Sequence, residues 1–276
     1  MLRVGLIQMT SGPDMEHNLQ YLAQEVAKLA KQGAQLISSP ENALLFATSA
    51  DYHRHAEPLG EGKMQQGFSA LAKQWQCWLH IGSFPIRCQH GVTTTSLLYT
   101  PTGERQLHYD KLHMFDVDVA DGHKRYRESE TFAPGNELAL STLPFGTVGL
   151  TICYDLRFPA LFQCLQERGA NIILVPAAFT AVTGQAHWEP LLRARAIENQ
   201  VWIIAVDQTG THPCGRETHG HSMVISPWGE VVLQLGQKPQ SAWVDIALEQ
   251  TEQIRQSMPV SEHSRFVSKL KEEPNK

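Results

Sequence analysis

VGLTICYDLRFP, residues 148–159, contains the turn around which the rest of the chain can be interpreted. The apolar run 148–152 predicts a buried strand, and the residues from Asp155 onward predict the start of a helix. Cys153 is therefore expected at a strand-to-helix turn. Free backbone N–H groups and a helix N-terminus at such a turn favour a thiolate or a developing oxyanion. For this segment alone, a buried structural cysteine is the alternative.

Strands and helices alternate on both sides of this turn. Strands are predicted at 2–9, 34–40, 78–84, 171–176 and 201–208, helices at 14–31, at 64–75, after Arg157 and at 187–199, and hairpins near 93–110, 138–152 and 222–234. This mixture of units predicts an α/β fold of layered mixed sheets and helices. We expect a single domain over residues 1–263. The polar stretch 264–276 is interpreted as a disordered tail or as an arm that orders on a partner subunit.

Composition excludes several classes of protein. The chain has 276 residues, 42% hydrophobic and 18% charged, with a net charge of −5, as in globular proteins with a substantial core. No basic block predicts nucleic-acid binding, and no apolar run reaches the roughly 18 residues of a membrane span. The apolar N-terminal stretch is too short for a signal peptide, and five irregularly spaced cysteines argue against a disulfide framework. A cytoplasmic protein is therefore predicted.

Two charged residues also follow predicted strands: Glu41 comes after 34–40, and Lys111 comes after 105–110. Each one alone is typical of a solvated surface residue. Together with Cys153 they provide a base, a fixed cation and a soft nucleophile, the groups that amide hydrolysis needs. We expect a single sheet to bring the three to one edge.

Residues 110–137 have little helical or strand periodicity, yet they are rich in charged side chains. Loops of this length are usually either functional or disordered. Phe115, Tyr126 and Phe132 favour an ordered segment, so a functional loop is predicted.

Histidines allow two other chemistries. His187, His219 and His221 are candidate bases for a Cys/His dyad. His113 and the HGH sequence at 219–221 contain metal-ligand types, but no cysteine pair or HExxH motif lies nearby. Structural, hydrogen-bonded histidines are favoured there, and no metal site is predicted.

The chain resembles the nitrilase, or carbon–nitrogen hydrolase, superfamily. The resemblance rests on PEN at 40–42, YDKLHMFD at 109–116 and ICYDLRFP at 152–159, with support from 177–205 and 220–232. These motifs occur in the family's order and spacing along nearly the whole chain. Ser39 replaces the commoner aliphatic residue before the PE pair, which leaves the glutamate itself intact.

The resemblance implies an αββα sandwich that pairs through its helical face into an αββααββα homodimer or a higher homo-oligomer. It also implies a triad of Glu41 as base, Lys111 as cation and Cys153 as nucleophile. Glu128 matches a second glutamate that the family places beside the lysine. The resemblance implies no metal or organic cofactor.

TGQAHWE at 183–189, LRARAIENQ at 192–200 and GHSMVISPWGEV at 220–231 are most similar to the branch that contains deaminated-glutathione amidases and omega-amidases. The expected activity is hydrolysis of the 2-oxoglutaryl amide bond of deaminated glutathione to 2-oxoglutarate and Cys-Gly, through a thioester on Cys153. Hydrolysis of 2-oxoglutaramate with release of ammonia is the first alternative. A non-catalytic binding or scaffold protein of the same fold is the second.

Substrates of this kind carry carboxylates, which arginine binds well through its planar fork. Arg157 is the candidate clamp for the 2-oxo acid, and a structural ion pair with Asp155 or another acidic residue is the alternative role. Lys124 and Arg125 are candidates for the terminal carboxylate of Cys-Gly, although exposed basic residues are usually just solvated.

Four further residues are expected near the substrate. In the mechanism that the resemblance implies, the backbone N–H of Tyr154 holds the oxyanion together with the Lys111 ammonium. Phe179 and Thr183 match positions that line the pocket in related enzymes. His187 is a further candidate, with packing at the start of its helix as the alternative.

Overall fold

Two mixed β-sheets pack face to face in the computed structural model, which describes residues 1–271. The strands are β1 (Leu2–Gln8), β2 (Leu36–Ser38), β3 (Glu57–Pro58), β4 (Trp78–Cys88), β5 (Gly91–Tyr99), β6 (Arg105–Asp110), β7 (Asp116–Asp118), β8 (Arg125–Arg127), β9 (Leu140–Leu143), β10 (Gly146–Leu150), β11 (Ile172–Ala177), β12 (Trp202–Asp207), β13 (Thr209–Thr211), β14 (Glu217–His219), β15 (Met223–Ile225), β16 (Val231–Gln234) and β17 (Gln240–Ile246). The first sheet has the order β17-β1-β2-β4-β5-β6, with β3 paired to β4. The second sheet has the order β16-β15-β12-β11-β10-β9.

Helices cover the outer faces of both sheets. They are α1 (Met15–Lys31), α2 (Ser49–His55), α3 (Lys63–Trp75), α4 (Pro159–Glu167), α5 (Ala181–Asn199), α6 (Glu249–Ser257) and α7 (Val260–His263), and two 3-10 turns lie at Glu128–Glu130 and Cys153–Arg157. Asp14 caps α1, because its carboxylate accepts the His17 N–H at 3.0 Å. The predicted start of α5 at 187 was wrong: Thr180 caps the helix, which begins six residues earlier, at Ala181.

The layers follow from the apolar faces of these elements. Val4 of the first sheet and Ile204 of the second lie fully buried in one cluster, which also includes Leu192 of α5. On the other face of the first sheet, Leu22 of α1 and Phe68 of α3 pack in a second buried cluster. The predicted αββα sandwich is confirmed, and the dimer stays a prediction.

The three hairpins predicted from the sequence are present as the antiparallel pairs β5–β6, β9–β10 and β15–β16. The segment 110–137 is ordered as well, and its centre is the short hairpin β7–β8. Within residues 1–271, no helix combines the length and apolar character needed to cross a bilayer.

The predicted C-terminal tail is described as far as residue 271, and 272–276 lie outside the described residues. Residues 264–271 form neither helix nor strand. Their contact is with α4, where the Ser268 hydroxyl donates to Gln163 Oε1 at 2.7 Å. An arm that orders on a partner subunit stays a prediction.

Candidate active site

Glu41, Lys111 and Cys153 line one cavity of about 400 Å³, which is large enough for a small organic molecule. Glu41 follows β2, and Lys111 directly follows β6. These two strands run in the same direction, because β2 is parallel to β4 and β5 is antiparallel to both β4 and β6. Cys153, however, follows β10 in the second sheet. The expectation of a single sheet was therefore wrong, and the site lies where the ends of the two packed sheets meet.

Glu41 is buried, and both of its carboxylate oxygens have partners. Oε1 accepts a hydrogen bond from Lys111 Nζ at 2.8 Å, and Oε2 accepts one from the Ala178 N–H at 2.8 Å. The chain reaches this position through a close approach of backbones, since a Cβ on Gly82 would lie 2.4 Å from the Pro40 carbonyl. Glycine is therefore required at position 82 to keep Glu41 in place.

Lys111 is only 1% exposed, and two carboxylates surround its ammonium group. In addition to Glu41, both oxygens of Glu128 lie 2.8 Å from Nζ, and Glu128 Oε2 also accepts the Phe115 N–H at 2.7 Å. Burial alone would lower the pKa of Lys111, but the charges of Glu128 and Glu41 outweigh it and hold the pKa well above its ordinary value. The cation is thus permanent at neutral pH.

Cys153 has a left-handed backbone with φ of +48°, which is unusual for a residue with a side chain. Such conformations cost about 1–3 kcal/mol and often occur at functional sites. The residue begins a 3-10 turn, and the following α-helix starts only at Pro159. The predicted helix after Arg157 is confirmed, and the turn that joins it to the strand is a 3-10 turn. Within residues 1–271 the Tyr154 N–H of this turn has no hydrogen-bond partner, since the first hydrogen bond of the turn runs from the Asp155 N–H to the Ile152 carbonyl at 3.1 Å.

Asp155, which is fully buried, holds this turn against the segment that carries the lysine. Its carboxylate accepts hydrogen bonds from the Ile152 N–H at 2.8 Å, the Tyr109 hydroxyl at 2.8 Å and the His113 ring at 2.7 Å. Tyr109 and His113 lie two residues on either side of Lys111. The network therefore couples the positions of the thiol and the ammonium, although they belong to different sheets.

Burial raises the pKa of the Cys153 thiol well above its usual value, and the charge of Glu41 raises it further. Lys111 and the Ala178 N–H act in the opposite direction but do not compensate. The resting site therefore contains a neutral thiol close to a carboxylate. A proton acceptor is therefore needed at the moment when the sulfur reacts.

The residues predicted to bind substrate divide into two groups. Tyr154, Phe179 and Thr183 line the cavity. Arg157 and His187 lie outside its lining: Arg157 Nη1 is 3.2 Å from His187 Nδ1, and the guanidinium lies 5.1 Å from the ring centre of Phe179. The alternative ion pair between Arg157 and Asp155 was wrong, because the carboxylate is occupied by the contacts given above.

Several cavity residues have no counterpart in the sequence-based expectations. They include His123 and Arg127 from the 110–137 segment and Cys214 and Arg216 from the β13–β14 hairpin. The expected Arg125 instead forms an exposed ion pair with Glu130 at 2.7 Å. The hairpin was missed because three-residue strands with polar side chains give no periodic pattern.

The rival chemistries have less support in this geometry. Among the described residues that line the cavity, His123 is the one histidine, so His187, His219 and His221 are not placed as bases for the thiol. Residues 1–271 contain no cluster of histidine, cysteine or acidic side chains arranged to hold a metal ion.

Residues 3–256 match the model of the carbon-nitrogen hydrolase family. The chain belongs to this family. Among the curated relatives of this carbon-nitrogen hydrolase is a protein of Yersinia enterocolitica named deaminated glutathione amidase. It is 48% identical over 273 residues, which cover 97% of this chain and 94% of the relative. A Homo sapiens protein of the same name is 38% identical, with 95% and 82% covered.

Solved structures agree with the carbon-nitrogen hydrolase fold. The NitFhit protein of C. elegans superimposes with a TM-score of 0.90 at 32% identity, over 100% of this chain and 68% of that one. Nit3 of Saccharomyces cerevisiae, a member of branch 10 of the nitrilase superfamily, gives a TM-score of 0.87 at 28% identity, over 96% of this chain and 97% of Nit3.

Proposed function

We propose that this hydrolase cleaves the 2-oxoglutaryl amide bond of deaminated glutathione and releases 2-oxoglutarate and Cys-Gly. The proposal rests first on one arrangement: Cys153, Glu41 and Lys111 line a single cavity. Relatives of up to 48% identity over nearly the whole chain carry the name of this activity. The non-catalytic alternative has no support in a site that keeps all three groups.

In the proposed acylation step, Glu41 accepts the Cys153 thiol proton while the sulfur forms a bond to the amide carbonyl carbon. Negative charge then develops on the carbonyl oxygen. The Lys111 ammonium and the Tyr154 N–H are the proposed donors to this oxyanion. The carbon–nitrogen bond breaks as protonated Glu41 returns its proton to the leaving nitrogen, and a thioester stays on the sulfur.

In the proposed second step, Glu41 accepts a proton from a water molecule whose oxygen attacks the thioester carbon. The carbon–sulfur bond breaks, the sulfur regains its proton and 2-oxoglutarate is released. Glu128 is the proposed partner that keeps Lys111 charged and directed at the reacting oxygen, because it holds the ammonium through both of its oxygens.

Phe179 and Thr183 are the proposed contacts of the acyl chain, since both line the cavity. Arg157 is proposed to bind the carboxylate of the 2-oxo acid. Its guanidinium packs on the rings of Phe179 and Tyr154 and forms no ion pair among the described residues. His187, which lies against this guanidinium, is proposed to orient it.

Side-by-side kinetics test the substrate assignment. We expect kcat/KM for deaminated glutathione to exceed that for 2-oxoglutaramate by about 10-fold or more. The reason is that only the larger molecule has a second part that can contact the β13–β14 hairpin in the cavity wall. Release of Cys-Gly and of ammonia by the purified protein are the two readouts. A clear preference for 2-oxoglutaramate would make the protein an omega-amidase and reject the proposal, and no turnover of either would favour a binding protein.

A homodimer in the cytoplasm is also part of the proposal. Ile197 and Trp228 are 50% and 58% exposed. They belong to one surface, because Gly229, the residue after Trp228, lies so close to Ile197 that a Cβ on the glycine would be 2.6 Å from the Ile197 side chain. Apolar side chains of this size are commonly covered by a second subunit. Light scattering should give about twice the chain mass of 30.9 kDa, and a monomer at micromolar concentration would contradict the dimer.

The cytoplasmic location is proposed from the cysteines. All five are free thiols, as is usual in a reducing compartment.

A further inference from the structure

Arg216 lies in the hairpin between β13 and β14 and lines the same cavity as Cys153. Its guanidinium is half-buried and lies 5.1 Å from the ring centre of Tyr126 and 5.9 Å from that of Phe46. Two aromatic faces therefore hold this cation at the wall of the cavity. Such packing leaves the edge of the guanidinium, where its N–H donors lie, available for a ligand.

The charge of Arg216 has no acidic partner among residues 1–271. Among these residues the Arg216 guanidinium has one hydrogen-bond contact, which joins Nη2 to His123 Nε2 at 3.5 Å. The other arginine of the cavity, Arg127, is already committed to an ion pair with Asp118 at 3.0 Å. Glu217 is exposed, and its carboxylate accepts from the Thr211 hydroxyl at 3.4 Å. Arg216 is thus the cavity arginine that a bound anion can neutralise.

His123 does not duplicate this charge. Burial lowers its pKa, and the positive charge of Arg216 lowers it further, so the ring is neutral near pH 7. A neutral imidazole can still donate one hydrogen bond to an anion held by Arg216.

The backbone around Arg216 is fixed by buried contacts. Its carbonyl accepts the His212 N–H at 2.8 Å, and the His212 ring bonds to the Ser11 carbonyl and to the Thr218 hydroxyl at 2.8 and 2.9 Å. The same ring stacks on Phe46 with centroids 3.8 Å apart. The guanidinium is therefore attached to a rigid base, which reduces the entropy lost when it binds a ligand.

We infer that Arg216 forms a carboxylate subsite that binds the terminal carboxylate of the dipeptide leaving group. The inference rests on the proposed function. Deaminated glutathione carries one carboxylate on its acyl part and a second at the glycine end. Arg157 and Arg216 are two arginines without acidic partners among the described residues, one beside the cavity and one in its wall, and they match this pair of charges. Arg216 also replaces Lys124 and Arg125, which do not line the cavity.

A substrate that lacks only the terminal charge isolates this contact. The probe is deaminated glutathione with its glycine carboxylate converted to a carboxamide, and the measured quantity is the ratio of kcat/KM for the acid to kcat/KM for the amide. For the unaltered protein we expect a ratio of about 10–100, the usual range for a lost charge-assisted hydrogen bond. Arg216→Gln should lower this ratio to near unity. Both substrates meet the same enzyme molecules, so incomplete folding of the variant cannot change the ratio.

Arg125→Gln is the matched control, since this residue is also an arginine of a neighbouring hairpin but lies outside the cavity lining, in an exposed ion pair with Glu130. It should keep the ratio of the unaltered protein. The assignment would be overturned if the acid-to-amide ratio fell to near unity in Arg125→Gln but stayed unchanged in Arg216→Gln. It would also be overturned if Arg216→Gln lowered kcat/KM for the acid and for the amide by the same factor, because the residue would then be structural. If the unaltered protein cleaves neither compound, the proposed function fails together with the subsite. Cleavage of both at equal rates rejects the subsite alone.

Discussion

Cys153→Ala is expected to lower kcat/KM for deaminated glutathione by roughly 10⁴- to 10⁶-fold, as the loss of a covalent nucleophile does in other hydrolases. Glu41 and Lys111 both act electrostatically on this thiol. Alanine removes the atom that would carry the acyl group and leaves the buried ion pairs intact. The measurement is release of Cys-Gly by purified variants, with circular dichroism to establish that the fold is retained.

Cys214→Ala provides the control for this result, because Cys214 is a second thiol that lines the cavity. It is exposed, and the proposed chemistry gives it no part. The variant should therefore stay within a few-fold of the unaltered protein. A large loss in Cys214→Ala together with near-normal turnover in Cys153→Ala would exchange the two thiols and reject the mechanism.

The sequence was sufficient to place the chemical groups. Glu41, Lys111 and Cys153 each follow a predicted strand, and the carboxyl ends of strands are where α/β proteins collect polar side chains. The sequence was not sufficient to assign those strands to sheets. Strand pairing depends on contacts between distant segments, and neither the mostly polar β6 nor the apolar β10 contains a signal for the sheet to which it belongs.

The protonation state of the Cys153 thiol could not be predicted from the local sequence, for a related reason. VGLTICYD predicts a strand followed by a turn, but it contains no information about the carboxylate that approaches from another segment. Burial of Cys153 and the charge of Glu41 raise the thiol pKa, and both effects arise only after folding. Arg216 was missed because its role depends on the rings of Phe46 and Tyr126, which come from two other segments of the chain.

Glu41→Gln is expected to lower kcat by roughly 10²- to 10⁴-fold, the range over which a positioned general base contributes. Glutamine keeps an oxygen that can accept from Lys111 or from the Ala178 N–H, so the shape of the site is retained. It cannot accept the thiol proton or activate water. The measurement is turnover of saturating substrate under conditions in which the unaltered enzyme gives a linear rate.

The same substitution should make the Cys153 thiol easier to ionise, although it slows turnover. The charge of Glu41 raises the pKa of Cys153, while Lys111 lowers it. Removal of the negative charge leaves the cation less opposed, so the pKa should fall. The pH at which alkylation of Cys153 by iodoacetamide reaches half its maximum rate should therefore be lower in the variant, although hydrolysis is slower.

A comparison of Glu128→Gln with Glu41→Gln tests whether Glu41 transfers protons or only holds the Lys111 ammonium in place. Both carboxylates hold the Lys111 ammonium at 2.8 Å, but Glu41 is the one whose charge acts on the thiol. If Glu41 served only to hold the cation, the two variants would lose similar amounts of activity. We expect a clearly larger loss for Glu41→Gln, because it removes both the support and the proton acceptor. Equal losses would leave Cys153 without a base and would require another group to take its proton.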